Sequence, residues 1–108
     1  MNIDRDKCSR AYKFQQFLYD LHKLEEHYEI KIDKKQFNYM YDFIEEVVDT
    51  INTLLNKKVE YLPKERVTPK KAQIERFERF TATGDVVCKI VYENNGFDFA
   101  LLSKLKFI

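Results

Sequence analysis

The chain has 108 residues, of which 44% are hydrophobic and 34% are charged, and its 19 basic and 18 acidic residues leave a net charge of +1. This hydrophobic content excludes a disordered chain, and the balanced charge gives no global argument for a nucleic-acid or membrane partner. Neither the roughly 20-residue apolar run of a membrane span nor the shorter run of a signal peptide is present. We therefore expect a single cytoplasmic domain over residues 1–108.

The first predicted element is a helix near the start of the chain. Residues 1–7 are polar and are expected to fray. Ser9 is the expected cap of a helix over residues 10–28, in which large apolar side chains recur at steps of three and four.

A second and longer helix is predicted over residues 33–58, with Asp33 at its N-cap. Residues 29–32 form a short link, which favours antiparallel neighbours, so residues 9–58 should form a helical hairpin. The large apolar residues of the second helix share one predicted face: Phe37, Met40, Tyr41, Ile44, Val47, Val48, Ile51, Leu54 and Leu55.

A basic connector is predicted over residues 59–71, and it could contain a short strand at residues 59–62. Residues 69–80 should form a short helix or a strand. Thr68 followed by Pro69 is a favourable helix start. Three apolar residues then recur at every third position, which favours the helix: Ile74, Phe77 and Phe80.

A β-hairpin is predicted over residues 85–107, with strands 86–94 and 97–107. Between them lie Asn95 and Gly96, a pair that readily adopts the two left-handed conformations of a type I′ turn. This turn pairs Tyr92 with Phe99, Ile90 with Leu101, and Val86 with Leu105. The same apolar face would also carry Cys88, Phe97 and Phe107. The opposite face would be mixed in character: Val87, Lys89, Val91, Glu93, Asp98, Ala100, Leu102, Lys104 and Lys106.

These elements predict an α+β fold, in which an antiparallel helical hairpin covers a small C-terminal antiparallel sheet. The outer face or open edge of that sheet could pair two copies of the chain, so a homodimer is a further expectation.

The first candidate site is an acidic stripe with aromatic neighbours on the second helix. Carboxylates at steps of three and four fall on one side of a helix, opposite the apolar face. An ordinary solvated surface is the alternative to a docking face for a basic partner. Tyr39 and Phe43 flank the stripe, although Phe43 could instead meet the sheet. The candidate partner-binding residues are Tyr39, Asp42, Phe43, Glu45, Glu46 and Asp49.

The second candidate site is basic and surrounds one tyrosine. Cations beside an aromatic ring could contact phosphates and stack a base, although a solvated loop is the alternative. The residues are Lys57, Lys58, Tyr61, Lys64, Arg66, Lys70 and Lys71.

Catalytic chemistry, a metal and a cofactor are not expected. His22 and His27 have no nucleophile or partnering base beside them, and Cys8 and Cys88 are too far apart in sequence to form a metal or redox motif. The expected function is therefore a non-enzymatic protein-interaction module. Short motif-free domains of this composition favour a phage or mobile-element inhibitor of a host nuclease or defence complex, whose basic groove would suit the acidic stripe. A nucleic-acid-binding accessory protein using residues 57–71 is the alternative.

Overall fold

The computed structural model describes residues 4–64 and 66–108, and it has the α+β fold that the sequence predicts. Two helices cover one face of a five-stranded antiparallel sheet with the strand order β4-β3-β2-β1-β5. The helices are α1 (Arg5–Tyr28) and α2 (Asn38–Asn52), and the strands are β1 (Lys58–Tyr61), β2 (Lys70–Phe80), β3 (Val86–Tyr92), β4 (Phe97–Leu101) and β5 (Lys106–Phe107).

Helix α1 begins earlier than the sequence predicts. Asp4 is its N-cap, and the Asp4 Oδ1 atom accepts a hydrogen bond from the backbone N–H of Lys7 at 3.1 Å. The prediction that Ser9 caps the helix is therefore wrong, as is the expectation of fraying for residues 4–7, whereas residues 1–3 lie outside the described chain. The only buried residues of α1 are Cys8 and Ala11, both in its first two turns, so the sheet supports the beginning of the helix.

Helix α2 is shorter than the predicted helix over residues 33–58. Asp33 caps a separate 3-10 turn at Lys34–Phe37, where its Oδ1 atom accepts from the backbone N–H of Lys35 at 3.0 Å. Beyond Asn52 the chain continues through tight turns, and Asn56 adopts a left-handed conformation with φ 67°. A left-handed residue ends a helix, and all six predicted helical positions over residues 53–58 lie outside α2.

Residues 69–80, predicted to form a short helix or a strand, contain strand β2, so the favoured helix is wrong and the strand alternative is observed. Its pairing with β3 is interrupted twice, because Glu75 and Glu78 are extra residues without a partner in the register. Such β-bulges add one residue to the strand, so every third residue returns to the same side of the sheet. This explains the apolar spacing that resembled a helix, since three residues face the core at steps of three: Ile74, Phe77 and Phe80.

The β3–β4 hairpin is present, but its predicted register is wrong. Its loop consists of residues 93–95, with Asn95 in the left-handed region at φ 67°. A type I turn followed by one left-handed residue is the usual three-residue hairpin loop. The register that it gives the two strands is shifted by an odd number of residues from the register of the predicted two-residue turn. The side chains of β4 therefore alternate in the opposite sense. The observed cross-strand pairs are Val87–Leu101, Cys88–Ala100, Lys89–Phe99, Ile90–Asp98 and Val91–Phe97.

The β2–β3 turn joins the sheet to the start of α1. Gly84 has φ +85°, and the position of an added Cβ lies only 2.4 Å from the carbonyl oxygen of Arg5. The neighbouring Asp85 is buried, and its carboxylate accepts hydrogen bonds from the backbone N–H of Val86 at 2.8 Å and from the Ser103 hydroxyl. These contacts fix the turn, α1 and the segment after β4 as one packed corner.

Candidate binding surfaces

The acidic stripe lies on the solvent side of α2. Asp42, Glu45, Glu46 and Asp49 are all exposed, and none of them belongs to an ion pair among residues 4–64 and 66–108. The opposite side of the helix is buried in the core. The core therefore fixes the direction in which the four carboxylates point, and no cation in the described chain neutralises them at close range.

Two tyrosines border this stripe, but Phe43 does not belong to it. Tyr39 is 59% exposed and meets the Phe14 ring edge-on at 6.0 Å, while Tyr41 is 42% exposed. Phe43 is half-buried between the helices, with its ring 5.6 Å from that of Phe14 and the Arg10 guanidinium 5.5 Å from its centre. The prediction that Tyr41 faces the core is therefore wrong. Of the two positions considered for Phe43, the inward one is observed, because its ring packs against the core and does not flank the stripe. We refer to the exposed set as the acidic face: Tyr39, Tyr41, Asp42, Glu45, Glu46 and Asp49.

A cavity of about 150 Å³ adjoins the acidic face. It opens between the start of α1, helix α2 and β5, with Asp4, Lys7, Glu46 and Thr50 among its lining residues. Apolar side chains form the rest of its wall, so an apolar group could enter beside the carboxylate of Glu46. The apolar lining residues are Cys8, Val47, Ile51, Leu54, Leu102 and Phe107.

The predicted basic site is divided between the two faces of the sheet. Lys58 and Lys71 lie on the open face, because their strand neighbours Val59 and Ala72 are buried in the core. Tyr61 packs against that core, so it does not present a free ring to a base. Three further cations of the set are exposed and lie outside β1 and β2: Lys57, Lys64 and Arg66. Lys70 is half-buried and lies on the core side of the sheet.

Lys70 instead interacts with Tyr92, its Nζ atom lying 4.8 Å from the centre of the ring. Burial, followed by the nearby Asp98 carboxylate, raises the pKa of Tyr92 to about 12. The phenol is therefore protonated at neutral pH and donates to the Asp98 Oδ2 atom at 3.2 Å. This contact holds Lys70 in the fold, away from the open face of the sheet.

The open face of the sheet carries aromatic side chains that the sequence prediction assigned to the core. Phe97 is 58% exposed and Phe99 is 47% exposed, and their rings meet edge-on at 5.7 Å. The Lys89 Nζ atom lies 4.6 Å from the centre of the Phe97 ring. The sequence contains a signal for this arrangement, because an Asn at position 95 can supply the single left-handed residue of a three-residue loop.

The cysteines and His22, whose side chains could take part in catalysis or metal binding, are either buried or paired with a neighbouring residue. Cys8 and Cys88 are free and buried, and burial raises the pKa of the Cys8 thiol and raises that of Cys88 to about 11. His22 lies 3.1 Å from Glu26 on the surface of α1. Among residues 4–64 and 66–108, no group of three or more His, Cys, Asp or Glu side chains is arranged to hold a metal ion.

No protein family matches the chain, and neither a curated protein nor a solved structure matches it. Neither helix in the described part of the chain combines the length and the apolar character needed to cross a membrane.

Proposed function

We propose that this protein is a non-enzymatic binding module that attaches its acidic face to a basic protein surface. The observation that carries the proposal is the set of four exposed carboxylates on α2, which have no cationic partner in the described chain and are bordered by exposed tyrosines. Tyrosine is enriched at protein interfaces, where its ring gives contact area and its hydroxyl group stays hydrated.

The spacing of the carboxylates favours a partner that normally binds nucleic acid. Asp42 and Asp49 are seven residues apart, which is about 10.5 Å along an α-helix. Four charges over this length give about one charge per 3.5 Å of helix axis, close to the roughly 3.4 Å of duplex axis per phosphate of one DNA strand. A groove that accepts a phosphate backbone would therefore accept this helix, and an inhibitor of a nuclease or of a host defence complex in a phage or mobile element is the role we favour.

The cavity next to Glu46 gives the partner a place for an apolar anchor. Charge attraction at an exposed surface accelerates association and adds little affinity by itself. A side chain that enters an apolar pocket supplies the stronger contribution at most interfaces. Binding should therefore depend on both the carboxylates and an open cavity.

The test immobilises three proteins, the wild type and two charge-reversal variants, and measures what each captures from lysate of the source cell. The lysate is first treated with nuclease so that nucleic acid does not bridge the proteins. At about 50 mM salt, where surface charges are weakly screened, the Asp42→Lys/Glu46→Lys variant should retain less than about a tenth of the captured partner. The Asp20→Lys/Glu29→Lys variant has the same net charge as the first variant and reverses two exposed acids, one on α1 and one at its C-cap, so it should capture as the wild type does.

A further variant separates the cavity from the charges. Thr50 is exposed at the cavity, so Thr50→Phe should close it without changing the charge of the acidic face. We expect capture to weaken while its salt dependence is unchanged. Equal capture by the wild type and the Asp42→Lys/Glu46→Lys variant would remove the acidic face from the function.

A further inference from the structure

The open face of the sheet brings aromatic rings and cations into adjacent rows. Residues paired across antiparallel strands share a face, and Lys89 is paired with Phe99 on β4 and with Arg76 on β2. In the next row along, Arg79 is paired with Val87. Lys89 therefore lies beside both exposed rings of β4, because it is paired with Phe99 and contacts the ring of Phe97.

We infer that this open face binds single-stranded nucleic acid, with bases stacked on Phe97 and Phe99 and phosphates held by Arg76, Arg79 and Lys89. Exposed aromatic rings on a surface that tracks the backbone with cations are the features by which proteins bind single strands without sequence preference. The site is separate from the acidic face, because the helices cover the other side of the sheet.

The charge of this face suits a polyanion even after its ion pairs are counted. Glu75 lies 2.9 Å from the Nζ atom of Lys89, and Glu78 pairs with Arg76. Both pairs are at least partly exposed, so a phosphate can compete for the cations, and Arg79 belongs to no ion pair within the described residues. The six cations that the strands place on this face are Lys58, Lys71, Arg76, Arg79, Lys89 and Lys106, and the three strand carboxylates are Glu60, Glu75 and Glu78. A fourth carboxylate, Glu93, follows β3 and lines the groove beside Lys58 and Lys71, so the cations still outnumber the carboxylates.

A second copy of the chain fits this face less well than a nucleic acid does. Lys89 and Arg76 lie near the middle of the exposed apolar surface, and a symmetric dimer would bring these cations together and remove them from water, which is unfavourable. The free edge at β4 also carries Asp98, whose side chain points to the inner side of the sheet. Inward-pointing charges on edge strands oppose edge-to-edge pairing. Phosphates, by contrast, require these cations.

The experiment measures the fluorescence anisotropy of a labelled oligothymidylate of about 12 nucleotides, a length within the range that small single-strand-binding surfaces cover. Binding in the micromolar range is expected at about 50 mM salt. Phe97→Ala and Phe99→Ala should each weaken binding about fivefold or more, because each removes one stacked base. A duplex of the same length should bind more weakly, since its bases are already stacked on one another.

Conservative variants distinguish stacking from general hydrophobic contact. Phe97→Tyr/Phe99→Tyr keeps both rings and should bind as the wild type does, whereas Phe97→Leu/Phe99→Leu keeps apolar surface and should lose binding. Tyr19→Ala/Tyr28→Ala removes two comparably exposed rings from α1 and is the matched control, which should bind normally. Arg79→Gln/Lys89→Gln should reduce the slope of log K against log salt by about 1.4, the value for two lost phosphate contacts on a single strand.

Sedimentation of the same proteins completes the test. The inference is overturned if the wild type causes no anisotropy change at about 100 μM protein and low salt, where phosphate contacts are strongest. It is also overturned if the wild type is a dimer that Phe97→Ala/Phe99→Ala converts to a monomer, because a second copy would then cover the face. The Asp42→Lys/Glu46→Lys variant should still bind the oligonucleotide, so failure here leaves the protein-binding proposal standing, and the reverse holds as well.

Discussion

Replacing Gly84 by alanine is the most direct test of how α1 joins the sheet. The residue has a left-handed backbone at φ +85°, and the new Cβ would lie 2.4 Å from the Arg5 carbonyl oxygen. The left-handed conformation costs alanine about 1–2 kcal/mol, and an overpacked contact adds about 1–3 kcal/mol. The stiffer unfolded chain offsets about 0.4–1 kcal/mol, so the free energy of unfolding should fall by about 1–4.5 kcal/mol, with a central value of about 3 kcal/mol.

The other glycine of the chain provides the matched control. Gly96 does not have a positive φ, and an added Cβ there would meet the Asn94 Oδ1 atom at 3.0 Å. That atom accepts a hydrogen bond from the Gly96 backbone N–H at 2.9 Å, but it ends an exposed side chain that can shift, so Gly96→Ala should change the free energy of unfolding by less than about 1 kcal/mol. Urea unfolding at 25 °C, followed by far-ultraviolet circular dichroism, measures both variants. If Gly84→Ala is no less stable than Gly96→Ala, α1 does not begin against the β2–β3 turn.

Two further predictions concern the thiols and the link between the helices. Cys8 and Cys88 are buried, and burial raises the pKa of each thiol. Iodoacetamide should therefore modify neither thiol in the native protein at pH 7.5 and both in urea, as measured by mass spectrometry. Rapid labelling of the native protein would contradict their burial. The Lys34 ammonium and the Ile32 backbone N–H lower the pKa of Glu25, so its ionised form contributes stability above its pKa in the unfolded chain, and this contribution is lost as pH falls through the lower folded value. Glu25→Gln should therefore be less stable than the wild type in urea unfolding at pH 7 and similar to it at pH 3, and an unchanged difference at both pH values would refute this.

The helical hairpin was predictable because local signals and burial agree there. Val47, Ile51 and Leu54 are all buried, as their spacing predicts. The end of α2 was not predictable from that spacing alone. Hydrogen bonds from Leu54 N–H to Ile51 O and from Leu55 N–H to Asn52 O keep steps of three residues, so the apolar pattern continues through turns that are no longer α-helical. Asn56, which is left-handed, was the signal of the end.

The sheet was less predictable because its register depends on irregularities. The bulges at Glu75 and Glu78 change a two-residue period into steps of three, and periodicity alone does not separate that pattern from a helix. The left-handed residue at Asn95 then decides which side Phe97 and Phe99 occupy. The conformation of this one residue therefore places both rings on the candidate nucleic-acid surface, whereas the sequence predicted them in the core.

The length of α1 has a consequence for how the molecule opens. Its 24 residues span about 36 Å, in a molecule whose longest dimension is 52 Å, yet its buried residues are confined to the first two turns. Amide hydrogen exchange should therefore be slowest near Ala11 and become faster toward Tyr28, where contacts such as those of Phe17 with Phe37 and of Glu25 with Lys34 replace the core. We therefore expect the C-terminal end of α1 and the link to α2 to unfold and refold locally while the sheet stays intact.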